Sequence, residues 1–409
     1  MARWRVYIKP FDDDGEYQSD WTEVTSDVIE LGSPKQGIDN TEFDVGVIKN
    51  SGFNITLRND HGHYSEVNIL TSIFRFTRKN TLIKITWDIR DYDLVCGFFQ
   101  CGREPLGGEY LVFTGVINEV TSVSNIQYQQ AVFSVLGFDS LLNEIDVPYS
   151  SINNGDTLSA MLYAMINQAP FTDHVSVSLS NITPGTDLAI DDKSSLENKT
   201  VGKVLKNILL AAQSVLFIKD GTVFVTDRTA SEGTAFTFYG QASDRIENII
   251  SVPKYRDGMN RVFNHWIWTD VPAVVARDLT SITRYGTLEK EIKCELISDS
   301  STSKIQTILN ANRDEFSFPK RELDVETPIW YGTLALNILD RVVIDYPTVY
   351  IAADGGDIPR YDLAHIYDGT VRYPFEQWSL TIGTETDFKI VGKKIDVKKH
   401  TITFSLREN

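Results

Sequence analysis

A chain of 409 residues, 42% hydrophobic and 23% charged, is too long for one ordinary core and too apolar for disorder, so it is expected to fold throughout as two or three units. Its net charge of −17 opposes gripping of a phosphate backbone, since nucleic-acid affinity comes largely from Lys and Arg that displace counterions. An acidic wall can instead repel a duplex and let it pass, although plain solubility explains the same surplus.

The first residues lack the apolar stretch of a signal peptide. The longest apolar runs, such as 208–212 and 215–218, fall far short of the roughly 18 residues of a membrane helix, so no membrane span is expected. Cys96, Cys101 and Cys294 are an odd number in a large chain, which speaks against a disulfide framework. No second pair follows to complete a zinc site, and ordinary thiols are the reading.

Period-two alternation dominates residues 1–150. Trp4, Val6 and Ile8 share one side, as do Phe53, Ile55 and Leu57, then Ile83, Ile85 and Trp87. Apolar segments at 111–117 and 131–136 follow, with Gly, Asn, Asp and Ser clusters between them, which predicts an antiparallel barrel or sandwich. The glycine-dense stretch from Asp91 to Gly108 reads as a hairpin end or an exposed contact loop.

From residue 151 the period becomes helical. Leu158, Met161, Leu162, Met165 and Ile166 follow the capping residues Asp156 and Thr157, and a second stripe, Val201, Val204, Leu205, Ile208, Leu209 and Ala212, follows Thr200. Two short strands, 215–218 and 223–225, flank an Asp-Gly turn.

Alternation returns from about residue 240, at 249–252, 262–268, 342–344, 349–352, 378–382 and 402–406. One helix interrupts it, where Ser301 to Ser303 precede Ile305, Ile308, Leu309 and Asn312. The chain therefore reads as mainly β with a small α+β insertion. Two antiparallel β-barrel domains, 1–150 and 239–409, flank a helix-hairpin unit at 151–238, and the second barrel carries one inserted helix.

Phosphate-binding, dinucleotide, paired-histidine zinc and nucleophile-elbow motifs are absent, so nothing marks an enzyme, and no catalytic, cofactor-binding or metal residue is assigned. Carboxylate-based glycoside hydrolysis needs only two placed acids and has no motif, but no pair stands out among 56 acidic residues. Asp12, Asp13, Asp14, Gly15 and Glu16 lack the alternate spacing of a calcium loop and read as a solvated turn, as do Asp354, Gly355, Gly356 and Asp357. His61 and His63 could ligate a metal from one side of a strand, but Asn59, Asp60 and Gly62 favour a polar turn. Aromatic rings near acids suit a sugar cleft, core packing or subunit contacts alike.

The stretch Gly52 to Ser65, in which a strand ends in Asn59, Asp60, His61, Gly62, His63, Tyr64 and Ser65, resembles a signature of phage tail hub proteins. Trp21, Val24, Thr25 and Val28 before it, 83–87 as the next strand and Phe113, Thr114 and Gly115 resemble the family's first barrel. Residues 200–226, 260–264 and 339–342 are similar to later parts.

The resemblance implies two small β-barrels per subunit and a homotrimer whose pseudo-sixfold ring adapts a hexameric tail tube to a central spike or fibre. It further implies tail-tube, distal-tail or baseplate partners, a virion location after assembly in the host cytoplasm, and a DNA channel without specific binding. No peptidase, lysozyme or fibre extension is expected after the second barrel. The rival readings are a carbohydrate-active or carbohydrate-binding β protein and a phage receptor-binding subunit.

Overall fold

The computed structural model describes residues 4–12, 16–40, 44–60, 62–64, 79–89, 108–124, 129–219, 221–230, 234–240, 249–251, 253–350, 379–382 and 387–409. It is mainly β with a small helical part, as the sequence predicts.

The N-terminal region supplies β1 (Trp4–Lys9), β2 (Thr22–Glu23), β3 (Val28–Leu31), the hairpin β4 (Lys35–Asn40) and β5 (Val45–Ser51), then β6 (Phe53–Arg58), β7 (Thr81–Ile89), β8 (Gly108–Ser124) and β9 (Gln129–Gly137). Seven of them form an antiparallel sheet in the order β2-β1-β7-β8-β9-β6-β3. Strict alternation of buried and half-buried residues in β1 and β9 puts one face on the core. The hairpin β4–β5 leaves this sheet and joins another.

The middle region contains α1 (Leu158–Ile166), β10 (Ile182–Thr183), α2 (Val201–Ala211), β11 (Ser214–Lys219) and β12 (Thr222–Asp227). Thr157 caps α1 as expected, its hydroxyl accepting from the Ala160 N–H at 3.3 Å. Thr200 stands at the cap position of α2 in extended conformation but makes no cap bond. β11 and β12 pair antiparallel around a turn in which Gly221 has φ 72°, the left-handed conformation that the Asp-Gly signal anticipates.

The remaining elements are β13 (Phe236–Tyr239), β14 (Lys254–Arg256), β15 (His265–Trp268), β16 (Val271–Arg277), α3 (Leu279–Tyr285), β17 (Glu289–Ile292), α4 (Thr302–Phe316), β18 (Glu322–Pro328), α5 (Tyr331–Leu334), β19 (Arg341–Tyr350), β20 (Ser379–Ile382), β21 (Asp387–Asp396) and β22 (Thr401–Glu408). A twelve-stranded sheet runs β10-β12-β11-β5-β4-β21-β22-β18-β14, and β19 branches from β21, carrying β13 and β20.

Three local expectations change. The segment 262–268 contributes β15 to a separate three-stranded sheet, β16-β15-β17, rather than to the large one. The expected strands at 342–344 and 349–352 are one strand as far as Tyr350. Ile249 and Ile250 form no strand, although the Ile250 N–H donates to the Glu326 carbonyl at 2.8 Å.

Two hydrophobic cores result. One joins the seven-stranded sheet to the C-terminal strands, through residues such as Trp87, Phe133, Phe238, Phe388 and Phe404. The other joins α1 and α2 to the β15–α4 lobe, through Met161, Leu205, Trp266, Trp268 and Phe316. The hairpin lies between them, with Ile38 and Ile48 in the first core and Val45 and Val47 in the second. Residues 45–48 are therefore buried on both faces.

Candidate assembly interface

The turn after β6 is locked by its own hydrogen bonds. The Asn59 side chain accepts from the Tyr64 N–H at 2.8 Å, its carbonyl accepts from the Gly62 N–H at 2.9 Å, and Gly62 takes φ 68°. Tyr64 is thereby pushed inward against Phe133, and its hydroxyl donates to Asp27 Oδ2 at 2.6 Å. Burial and the Asp27 carboxylate raise its pKa. His61 lies outside the described residues, and His63 is half-buried at the turn.

The hairpin is held by a buried ionic knot that sequence reading missed. Asp44, at φ 49° ahead of β5, accepts from Arg261 Nη2 at 2.5 Å and pairs with Arg407 on β22. Arg261 also bonds Glu322 Oε1 on β18 at 2.8 Å. These residues are up to 363 positions apart, so no local spacing announces them.

A second polar group lies close by. Arg228 donates to Asn312 Oδ1 at 3.2 Å and to the Ala311 carbonyl at 3.0 Å, while its own carbonyl accepts from Lys389 Nζ at 2.6 Å. The guanidiniums of Arg228 and Arg407 lie 5.0 and 5.1 Å from the Phe316 ring centre. Burial pushes Arg228 down to about 10 and Lys389 to about 8.

The ends of the two large sheets offer little for strand addition. Among the described residues, the terminal strands of the two large sheets are β2 and β3, and β10, β14, β13 and β20, none longer than four residues, and β3 also carries a bulge between Val28 and Glu30. Short or bulged edges give a partner little ladder to extend. Large apolar side chains are exposed instead on the β15–α4 lobe, including Leu279 at 73% and Phe318 at 41%. Tyr285 meets Phe318 edge-on, with ring centres 6.4 Å apart.

Of the residues weighed from sequence, Asp12 accepts from the Glu16 N–H at 2.9 Å, closing a turn, while residues 13–15 lie outside the described part. So do Cys96, Cys101, the 354–357 run and the contact loop from Asp91 up to residue 107. Cys294 is a buried free thiol that burial pushes up to about 11. Among the described residues no three His, Cys, Asp or Glu side chains converge as metal ligands, and no helix is long and apolar enough to cross a membrane.

No family model matches the sequence, and no curated protein does. Among solved structures, the tail protein from Neisseria meningitidis MC58 superposes over 99% of this chain and 96% of its own, with TM-score 0.54 and 11% identity. The chain has the phage tail-protein fold. The 43 kDa tail protein of prophage MuSo2 from Shewanella oneidensis agrees, over 98% of this chain and 97% of its own, with TM-score 0.52 and 10% identity. The tail-protein fold is thus shared from end to end, while side chains at nine positions in ten differ.

Proposed function

We propose that this protein is a non-enzymatic structural subunit of a phage tail tip or baseplate, a hub that closes into a homotrimeric ring around a DNA channel. The observation that carries this reading is the end-to-end match to a tail protein, with 99% and 96% of the two chains covered. The division into barrels at 1–150 and 239–409 around an α+β unit belongs to the same proposal, as does the match of a pseudo-sixfold ring to a hexameric tube. Tail-tube and distal-tail or baseplate proteins would bind on one side and a spike or fibre on the other, in the virion, after assembly in the host cytoplasm.

The charge of −17 supports a channel wall that repels phosphates. The exposed Leu279 and Phe318 suit contacts with neighbouring subunits or tail proteins, because large apolar side chains gain by leaving water at an interface. The test is mass by light scattering with class averages from negative-stain images. A trimeric ring with a bore of roughly 20 Å or more, enough for a duplex, is expected. A monomer that binds glycans in a cleft would replace this reading with a carbohydrate-binding one.

A further inference from the structure

The outer face of the twelve-stranded sheet carries a feature that the fold itself does not explain. Lys35 on β4 stands directly opposite Lys394 on β21, so both side chains leave the same face of the sheet. Both are exposed, and neither has an ion-pair partner among the described residues. Like charges placed directly across a strand pair destabilise it.

Two residues along, Gly37 stands opposite Gly392, and Lys49 on β5 stands opposite Gly37 on its other side. Gly392 follows a bulge between Ile390 and Gly392, which accounts for it. Gly37 pairs regularly with both neighbours, one residue ahead of an irregularity between Ile38 and Asn40, and is not itself part of it. Its φ is not in the left-handed region, and a Cβ there would meet nothing closer than the Val391 carbonyl at 3.9 Å. A glycine inside a strand weakens it, and where the chain itself neither needs the conformation nor lacks the space, the remaining cause is close approach by something else.

We infer that this glycine floor, with Lys35 and Lys394 beside it, is a docking surface for an acidic segment of a second copy of this chain. Charge complementarity selects that occupant. A chain with 56 Asp and Glu against 39 Lys and Arg carries a surplus of carboxylates, and a local pair of lysines is where one of its acidic segments can land without repulsion. The side-chain-free floor lets the partner's backbone come close enough for its carboxylates to reach the ammonium groups. This inference rests on the ring-forming reading and assigns one of its interfaces.

The experiment compares the wild-type chain with Lys35→Glu/Lys394→Glu and, separately, Gly37→Val, using light scattering over a protein-concentration series at low and high salt. Circular dichroism checks that each is folded, and Gly37→Val is expected to fold because an extended strand accepts a β-branched residue with that space. The wild type is expected to associate less well at high salt. Both variants are expected to need at least tenfold more protein to associate, the first by charge and the second by bulk. Rings that form equally well in both variants overturn this inference and leave the hub reading standing. A wild-type chain that stays monomeric throughout overturns both. Loss of retention on anionic lipid vesicles by the lysine variant, with association unchanged, also overturns it by making lipid the occupant.

Discussion

Asp139 is buried beside β5, where it accepts from the Asn50 N–H at 3.2 Å, and loss of water pushes its carboxyl up to about 6. Because the folded value lies above the unfolded one, the folded chain holds this proton longer, and the associated stability is lost as pH rises from about 4 through 6. Asp139→Asn removes the ionisation and keeps an acceptor. Urea titrations at pH 7 are expected to show a gain on the order of 1–3 kcal/mol that disappears near pH 4. Lys393 behaves in the opposite sense. Its ammonium is buried against the Leu334 and Leu336 carbonyls at 2.7 and 2.8 Å, and burial pushes it down to about 8. The unfolded chain then binds more protons between about pH 8 and 10.5, so stability from this residue rises with pH across that window. Denaturation midpoints of Lys393→Met should show a flatter slope there than the wild type, and an equal slope would remove Lys393 as the source.

Among the elements, the β4–β5 hairpin depends on a single carboxylate. Asp44→Ala leaves Arg261 and Arg407 in a buried site without their shared partner, and removing one member of a buried ion pair costs about 3–5 kcal/mol. Chemical denaturation measures this directly; a loss below about 1 kcal/mol, the level of an exposed pair, would mean that water reaches the knot. Elements that carry their own signal were legible in the sequence. The stripes of α1 and α2, the caps at Thr157 and Thr200 as positions, and the β11–β12 turn all depend on residues within one or two turns of each other. The hairpin was not. Residues 45–48 are buried on both faces, which removes alternation, and β4 reads Lys-Gln-Gly-Ile-Asp-Asn with a single strongly apolar side chain. Likewise β15 looks like any strand, because periodicity reports burial and not which sheet a strand joins. The candidate interface was less legible still: only the pairing of β4 with β21 brings Lys35 to Lys394.

At the scale of the molecule, neither core belongs to one stretch of chain. The first draws on β1 and on β22, and the second on α1 and on α4. A fragment spanning 1–150 keeps its seven-stranded sheet but lacks β21 and β11, the partners of the hairpin, and it loses the aromatic residues Phe388 and Phe404 from its core. Such a fragment is expected to expose apolar surface and to melt broadly, if at all, by circular dichroism and calorimetry. A sharp, reversible transition close to that of the whole chain would show that the N-terminal sheet stands without the rest.

The β4–β5 hairpin also sets a clock on biosynthesis. Its strands lie within the first 51 residues, yet the partner edge of β4 on β21 lies near the C-terminal end, at residues 392–394. At translation rates of about 5–20 residues per second, β4 waits roughly 20–70 s for that edge to be made. The β5 edge can be met much earlier by β11 at residues 215–216, but the β4 edge stays open through the whole interval, and crowding by neighbouring copies on one message is when mispairing there would be most costly. The large sheet can close only after synthesis is nearly complete, so the speed of elongation and the occupancy of nascent-chain chaperones, rather than stability of the finished fold, would govern how much of this protein reaches its working form.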